Sequence, residues 1–450
     1  MRMREPPGLS LPASLRRVGL QPFARLPVFL GELRDRFGPI ASFAVPMQRF
    51  VLVNDPPAIK EVLVTKQQAF HKSRGIEALR RLLGDGLLTS EDPLHREMRR
   101  IVQPAFHKER IAAYATAMRA AAEELARRLH DGETVDLHAL MVEVTLRIAS
   151  ITLFGSDAGG TASRVSAALE QLMHVFPAAF GPFRRLREHL PLPSMRRFDR
   201  ARRTLDEIVY ALIAERRGEA GSRGDALSLL LAAQHEAGIV DDKQLRDEAI
   251  TLFLAGHETT ANLLTWAWIL LADHPEVERL LYQQVDGLAD GFDRDAIARD
   301  APLVQRVILE TLRLFPPAWL IGRRAIADVT IGGYTLRKGT AVMICPWVLH
   351  RTGALYPQPE SFDPDRWLRD APPPFAFVPF GGGARRCIGE EFALHEAAIV
   401  LATLARCLRF VRAWERPVRP RFLVTLRPNG PVPVRVVTRT GTATRVRTRD

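Results

Sequence analysis

Residues 380–389, Phe380-Gly-Gly-Gly-Ala-Arg385-Arg-Cys387-Ile-Gly389, decide the fold of this 450-residue chain. A Gly-rich coil runs into a cysteine, and apolar residues at helical spacing follow it, which predicts a helix over 387–404. Free amides and the helix dipole at such a position stabilise a thiolate. The glycines let the backbone pass close to a flat ligand and aim N–H groups at the sulfur. The stretch therefore predicts a chemically active cysteine, whereas a bare Cys-x-Gly would indicate only a turn with a buried thiol.

Composition narrows the class of protein. Three cysteines, Cys345, Cys387 and Cys407, form no Cys-x-x-Cys pair, which is typical of a reducing compartment without a disulfide framework. The formal net charge is +12, but the positive side chains are almost all Arg and form no compact basic block with interleaved aromatics. We therefore expect no nucleic-acid partner.

The N-terminus and the apolar runs indicate where in the cell the protein is expected. Residues 1–15 carry charges and prolines but no apolar segment typical of a signal peptide. The longest uncharged apolar run, residues 259–272, is too short to span a bilayer and lies between Glu258 and Asp273. We therefore expect a cytoplasmic protein without a membrane anchor.

Hydrophobic periodicity predicts a mainly α-helical chain with a smaller β-rich region. The predicted helices are 95–106, 108–130, 137–154, 163–176, 195–217, 241–273, 303–315 and 387–404. The predicted strands are 40–45, 50–53, 323–331, 334–336, 341–344, 422–426 and 432–437. An apolar segment broken by prolines, 175–193, predicts a mobile loop. We expect an irregular N-terminal lead-in (1–22), a single catalytic domain (23–438) and a disordered tail (439–450).

The predicted helix 241–273 contains Ala255-Gly-His257-Glu258-Thr259-Thr. Small residues followed by an acid and a hydroxyl invite a local distortion that would open a groove for oxygen and water. Glu258 and Thr259 could then relay protons, although the same residues could also form an ordinary solvated helix turn. His257 has no partner at metal-ligand spacing, so we interpret it as a hydrogen-bonded helix residue.

A second motif, Glu310-Thr-Leu-Arg313, places an acid and a base on one helix face. Exposed, such a pair would contribute only about 0.2–0.5 kcal/mol. Apolar neighbours predict that it is buried, and a buried pair needs further partners. Arg366, in the later segment Phe362-Asp-Pro-Asp-Arg366-Trp, is the expected third member. We interpret this set as structural.

Together these segments resemble the cytochrome P450 family. Residues 380–389 fill every defining position of its Phe-x-x-Gly-x-Arg-x-Cys-x-Gly pattern. The segment around Thr259 resembles its (Ala/Gly)-Gly-x-x-Thr motif, and the Glu310 and Arg366 segments resemble its two scaffold motifs. The similarity covers roughly residues 30–438. It implies the family fold, with a long central helix over a haem b and the cysteine loop beneath it.

The resemblance assigns roles in haem binding. Cys387 would be the cysteinate ligand of the iron, and a thiolate there pushes electron density toward bound oxygen. Phe380 would cover the sulfur. The other expected haem-contacting residues are Ala255, Gly381 and Gly389. The residues expected to bind the two haem propionates are His95, Arg99, Arg323 and Arg385.

The resemblance also implies a monooxygenase that inserts one oxygen atom of O2 into a small hydrophobic substrate. Electrons would come from a separate ferredoxin or flavodoxin with its reductase, docked near the thiolate on Arg96, Arg100 and Arg386. Runs such as 190–201 and 315–325 are similar to terpene oxygenases of the actinobacterial type and, more loosely, to bacterial fatty-acid hydroxylases. A terpenoid is therefore favoured and a fatty acid comes next. The expected pocket residues are Phe253, Ala255, Trp319, Leu320 and Val424.

Two alternatives remain open from the sequence. A peroxygenase of the same fold would use hydrogen peroxide and would not need Glu258 and Thr259, so their presence argues against it. A non-catalytic haem-thiolate sensor or ligand-binding protein would share the fold and the cysteine loop.

Overall fold

The computed structural model describes residues 4–18, 25–155, 193–217, 224–237, 240–369 and 371–439, and six residues between 164 and 172. Helices dominate this part of the chain and strands form a smaller part, which confirms the predicted fold class. The predicted loop up to residue 192 and the tail from residue 440 lie outside the described residues.

Seven of the eight predicted helices lie within a few residues of their predicted bounds, and the structure adds nine further helices among the described residues. The predicted helix 163–176 lies largely outside the described residues. The helices are Leu11–Val18, Leu26–Phe37, Pro56–Lys60, Arg74–Leu83, Leu94–Val102, Lys108–Arg128, Leu137–Phe154, Pro193–Arg217, Ala226–Ala237, Asp242–Asp273, Pro275–Asp286, Arg294–Asp300, Pro302–Leu314, Pro346–Leu349, Arg366–Arg369 and Glu390–Cys407. Leu11–Val18 falls in the lead-in that we expected to be irregular. Its buried Ser14 accepts a hydrogen bond from the Ala44 N–H (3.2 Å), so packing on the first hairpin orders the segment.

The helix Asp242–Asp273, here called the central helix, runs through the middle of the fold. Asp241 caps its N-terminus by accepting a hydrogen bond from the Gln244 N–H (2.6 Å). Apolar residues occur all round its circumference, and most of its side chains are buried. It packs most extensively against Leu137–Phe154.

Leu137–Phe154 is, among the described residues, the one helix whose length and mean hydropathy of 1.5 would also suit a membrane span. However, 61% of it is buried inside the protein, mainly against the central helix. A buried apolar helix of this length is also what the core of a globular protein contains, so the segment is weak evidence for a membrane span.

Short strands build the smaller part of the fold. They are β1 (Ile40–Val45), β2 (Gln48–Val53), β3 (Phe70–Lys72), β4 (Thr134–Asp136), β5 (Ile321–Ala325), β6 (Val329–Ile331), β7 (Tyr334–Leu336), β8 (Ala341–Ile344), β9 (Leu408–Arg412), β10 (Pro420–Phe422), β11 (Leu426–Pro428) and β12 (Pro433–Thr438). One sheet has the order β1-β2-β8-β5-β3, and a second has the order β4-β12-β9. The register of β3 with β5 places Lys72 opposite Arg323, which matters for the site.

Candidate active site

The cysteine loop, residues 380–389, is a hydrogen-bonded turn that presents Cys387. The Cys387 N–H donates to the Phe380 carbonyl oxygen at 2.9 Å. Gly383 has φ +68°, and a Cβ there would lie 1.8 Å from the Leu63 carbonyl oxygen. The loop therefore requires glycine at this position both for its left-handed backbone and for its close contact with the turn around Leu63.

The last helix begins at Glu390, three residues after Cys387, and not at the cysteine as we predicted. The Cys387 N–H is already used inside the loop, and Gly389 is the residue that caps the helix. The cysteine thus lies just outside the first helical turn. The backbone group that hydrogen-bonds to its sulfur is the Gly389 amide.

Cys387 is an exposed residue, although its sulfur has enough protein atoms near it for burial to affect its pKa. Burial raises its pKa to about 11, and the Gly389 amide, Arg99 and Arg386 oppose this only in part. The Gly389 amide and the two arginines therefore favour the thiolate, but they do not outweigh the effect of burial. A coordinated metal ion deprotonates a thiol outright, so this sulfur is suited to act as a thiolate when it binds a metal.

Five basic side chains, which we call the cationic cluster, converge on one side of the cysteine loop: Lys72, His95, Arg99, Arg323 and Arg385. Burial, followed by repulsion from Arg385, lowers the pKa of Lys72 to about 7, of His95 to about 3 and of Arg323 to about 10. Burial also lowers the pKa of Arg99 and of Arg385. The structure thus brings together the four predicted propionate-binding residues.

Acidic groups offset this cluster only in part. Arg385 donates to Glu91 Oε2 (2.8 Å) and to the Ser90 carbonyl oxygen (2.9 Å), and Asp92 lies 3.4 Å from it. Arg99 donates to the Arg386 carbonyl oxygen at 2.8 Å. A ligand that carries two carboxylates would relieve the remaining repulsion, and this is the charge that haem brings.

Lys72 is the member of the cluster that the sequence analysis missed. It ends the short strand β3, is 7% exposed, and lies opposite Arg323 in the sheet. The sequence could have pointed to Lys72 because this lysine ends a buried strand, and a buried ammonium group needs a partner. Without the β3–β5 register, however, nothing in the sequence links the two residues.

One face of the central helix is accessible, whereas the rest of the helix is mostly buried. Ala255 is exposed and Thr259 is partly exposed, one turn apart on a helix whose other residues are mostly buried. The Thr259 hydroxyl donates to the Ala255 carbonyl oxygen at 2.9 Å. The helix is regular throughout, so the local distortion that we expected is absent from it. Its open face comes from the small Ala255 side chain instead.

His257 is a hydrogen-bonded helix residue, as predicted. Its Nδ1 lies 2.7 Å from the Phe253 carbonyl oxygen, and its side chain is fully buried. Burial lowers its pKa, so the ring is neutral at physiological pH.

Glu258 is buried and is held by the hairpin formed by β10 and β11. Its Oε1 accepts hydrogen bonds from Thr425 Oγ1 (2.6 Å) and Arg427 Nη2 (2.7 Å), and the carboxylate is 5% exposed. Burial raises the pKa of Glu258, but Arg427 and Thr425 together outweigh it, so the pKa is lowered overall. Glu258 is therefore ionised, and sequence reasoning missed both of its partners because they lie far along the chain.

The predicted scaffold triad is assembled. Arg313 donates to both oxygens of Glu310 at 2.9 and 2.8 Å, and both side chains are fully buried. Arg366 Nε lies 3.4 Å from Glu310 Oε1, and Trp367 Nε1, which we did not predict, donates to Oε2 at 3.1 Å. Further donors satisfy the remaining lone pairs, which is what a buried ion pair requires.

His350 connects this scaffold to the cysteine loop. Its Nδ1 lies 3.3 Å from the Arg313 carbonyl oxygen, and its Nε2 accepts a hydrogen bond from the Val378 N–H at 3.1 Å. Burial lowers the pKa of His350 to about 3, so the ring stays neutral and can accept that bond. Val378 is two residues before Phe380, so the connection reaches the start of the loop.

Two of the expected pocket residues are buried in the core. Phe253 packs edge-on against Phe154 (ring centroids 5.6 Å) on the helix face opposite Ala255. Trp319 is 1% exposed and donates its Nε1–H to the Leu423 carbonyl oxygen at 3.0 Å. These two large aromatic rings complete the packing behind the site, and their place in the pocket stays a prediction. Of the expected pocket residues, those with accessible side chains are Ala255, Leu320 and Val424.

Comparisons with known proteins agree with this geometry. The family model described as Cytochrome P450 matches residues 6–428. Cyclooctatin synthase of Streptomyces melanosporofaciens is 36% identical over 424 residues, covering 91% of this chain and 89% of the relative. Cyclooctat-9-en-7-ol 5-monooxygenase of the same organism is 35% identical (87% and 85%), and pentalenene oxygenase of Streptomyces avermitilis is 36% identical (88% of each chain). With a family match over nearly its whole length and a cysteine loop of the family's pattern, this chain belongs to the cytochrome P450 family.

Proposed function

We propose that this chain is a monooxygenase that inserts one oxygen atom of O2 into a terpenoid. The observation that carries the proposal is the full-length similarity to pentalenene oxygenase and to cyclooctat-9-en-7-ol 5-monooxygenase. The accessible apolar side chains Ala255, Leu320 and Val424 are consistent with a hydrocarbon substrate, which would bind by burial at roughly 25 cal/mol per Å2.

The donor set fits haem b, the prosthetic group of the family. Cys387 would supply the thiolate, and the cationic cluster would bind the two propionates. Gly381 (φ +72°) and Gly389 carry no side chain beside the cysteine, and Phe380 would shield the sulfur from water. When bound, haem activates O2 with electrons from a separate redox partner.

Thr259 and Glu258 would have different tasks. The partly exposed Thr259 hydroxyl lies on the open helix face, and it would donate a hydrogen bond toward oxygen by rotating away from the Ala255 carbonyl oxygen, to which it now donates. Glu258 is an ionised carboxylate paired with Arg427, so it can pass a proton only when that pair opens. We infer that Thr259 is the immediate donor and Glu258 the group that resupplies it.

Thr259→Ala is expected to separate electron use from product formation. A positioned proton donor contributes roughly 10²–10⁴-fold to rate, so product formed per electron pair should fall at least about tenfold while NADPH consumption continues. The measurement is product yield against NADPH consumed. Thr265→Ala is the matched control, because that hydroxyl makes the same bond to the residue four positions earlier (2.7 Å) but is fully buried. Full coupling in Thr259→Ala would rule out the donor role.

A spin-state titration of the haem-loaded protein tests the substrate class. We expect cyclic terpenes to convert low-spin to high-spin iron and to yield hydroxylated products with surrogate redox partners. A shift produced by fatty acids alone would replace the terpenoid assignment with a fatty-acid one. A shift without substrate-dependent NADPH consumption would favour the non-catalytic sensor.

We propose that the redox partner is an acidic ferredoxin or flavodoxin that docks near the thiolate. Arg96, Arg100 and Arg386 are exposed there; Arg96 lies 3.4 Å from Asp92, and Arg386 is paired with Glu390. The double variant Arg96→Glu/Arg100→Glu should slow reduction by an acidic ferredoxin roughly tenfold or more at low salt, because steering of that size is electrostatic. The difference should shrink as salt rises. A salt-independent rate equal to that of the unmodified protein would contradict this docking site.

We also propose that the chain works in the cytoplasm as one catalytic domain over residues 23–438. The three unpaired cysteines support a reducing compartment.

A further inference from the structure

The loop 84–90, here called the pocket loop, lies between the cationic cluster and the central helix. Gly84 has φ +58°, and the Thr89 hydroxyl donates to its carbonyl oxygen at 2.7 Å, which closes the loop on itself. Leu87 is buried, whereas Leu88 is 40% exposed. The loop thus presents one large apolar side chain outward.

Two buried charged side chains hold Leu87 from opposite sides. The Leu87 N–H donates to Glu248 Oε2 at 3.0 Å, and Lys72 Nζ donates to the Leu87 carbonyl oxygen at 2.9 Å. Glu248 comes from the central helix and is 0% exposed, and Lys72 comes from β3 and is 7% exposed. Both backbone polar groups of this one residue are therefore fixed by groups distant in sequence.

The central helix also hydrogen-bonds to, and packs against, other residues of the pocket loop. The Asp85 N–H donates to Asp247 Oδ2 at 2.9 Å, and the Gln244 amide donates to both Glu248 Oε1 (2.9 Å) and the Asp85 carbonyl oxygen (3.2 Å). A Cβ on Gly86 would lie 2.1 Å from Thr251 Oγ1. Thr251 precedes the exposed Ala255 by one helical turn, so the loop lies against the helix next to its open face.

Burial acts against the charged form of both clamping groups. It raises the pKa of Glu248 to about 7, against the hydrogen bonds from Leu87 and Gln244, and it lowers the pKa of Lys72 to about 7. Asp247 and Lys72 face Glu248, while Arg385, Glu91, Arg323 and Glu248 face Lys72. Two groups so costly to bury would weaken the fold unless their contacts are specific, and both contact the same peptide.

We propose that Lys72 and Glu248 are positioning residues that clamp Leu87 and thereby hold Leu88 in the wall of the substrate pocket. The inference rests on the proposed function, since it assigns part of that pocket. Lys72 also belongs to the cationic cluster, so an anion bound there would favour its ammonium form and strengthen its bond to Leu87. Cofactor binding and pocket shape are then linked through one side chain.

Hydrogen exchange of the peptide covering 84–90 tests the clamp directly. Glu248→Ala should raise exchange by roughly tenfold or more, because it removes a charge-assisted hydrogen bond. Glu248→Gln should restore most of the protection, since the amide oxygen still accepts the Leu87 N–H. Glu61→Ala is the control, because that carboxylate also accepts a backbone N–H, from Gly332 (3.3 Å), which is outside the pocket loop. It should leave the 84–90 peptide unchanged.

Substrate binding supplies the second measurement. In Glu248→Ala and Lys72→Met, the dissociation constant of the terpene that gives the largest spin shift should rise severalfold, while that of imidazole, which ligates iron, stays within about twofold. Arg99→Gln distinguishes the effect of weaker haem binding from the effect of a loosened pocket loop. Arg99 belongs to the cationic cluster but has no hydrogen bond to the loop among the described residues. The variant should weaken haem retention, but when the protein is saturated with haem it should leave exchange at 84–90 unchanged.

The outcomes are distinguishable. Unchanged exchange at 84–90 and unchanged terpene affinity in Glu248→Ala and Lys72→Met would overturn the clamp. Exchange can be measured whether or not a terpene is oxidised, so the clamp is tested even if the proposed function fails. If Glu248→Ala does not fold, the clamp is tested instead by hydrogen exchange at 84–90 and terpene affinity in Lys72→Met and Glu248→Gln.

Discussion

Cys387→Ser should abolish the long-wavelength Soret band of the ferrous–CO complex that gives the family its name. A serine hydroxyl does not supply the thiolate that a coordinated cysteine provides, so both the spectrum and O–O cleavage lose their electronic basis. Loss of a group that merely hydrogen-bonds a metal ligand costs roughly 10–100-fold in metal affinity or activity, and loss of the ligand itself should exceed that. The measurement is the reduced CO difference spectrum, with substrate oxidation alongside.

Cys407→Ser is the matched control for this variant. Cys407 ends the helix that follows the cysteine loop and is only partly exposed. Its replacement should leave the spectrum unchanged. Retention of the band in Cys387→Ser would mean that another residue ligates the iron, and the assignment of the site would fail.

Glu310→Gln is expected to destabilise the protein strongly. It leaves the fully buried guanidinium of Arg313 without its counter-charge, and breaking a buried pair in this way costs about 3–5 kcal/mol. Since whole proteins are stable by only about 5–15 kcal/mol, a large share of the variant should be unfolded or free of haem. The measurements are the free energy of unfolding and the haem content of the purified protein.

Glu276→Gln provides the comparison. Glu276 and Arg279 have the same three-residue spacing on a helix, but both are exposed and 3.5 Å apart. Their pair should contribute less than about 0.5 kcal/mol. Equal destabilisation by the two variants would show that burial does not set the strength of the Glu310 network.

The sequence predicted those parts of the fold whose signals are local. Helix periodicity and Pro or Gly boundaries located the central helix to within a residue, and a ten-residue pattern located the cysteine. Burial of the Glu310 pair followed from its apolar neighbours. Each of these inferences needed only residues within a few helical turns of one another.

The parts that the sequence did not predict depend on contacts between distant segments. Lys72 belongs to the cationic cluster because the register of β3 with β5 places it opposite Arg323. Arg427 hydrogen-bonds to Glu258 although the two residues are 169 positions apart in the sequence. Phe253 and Trp319 are apolar, and only the tertiary structure decides whether an apolar ring lines a pocket or packs behind it. The start of the last helix was misplaced because the loop uses the Cys387 N–H, which periodicity does not reveal.

The pairing of Glu258 with Arg427 also has a consequence for biosynthesis. The two residues are 169 positions apart, so at about 5–20 residues per second Glu258 leaves the ribosome roughly 10–30 s before its partner. During that interval the nascent central helix carries an acid that has no guanidinium to neutralise it. The helix can bury this acid in its ionised form only once the last strands have been translated. The core around the central helix can therefore be completed only after the C-terminal strands have been synthesised.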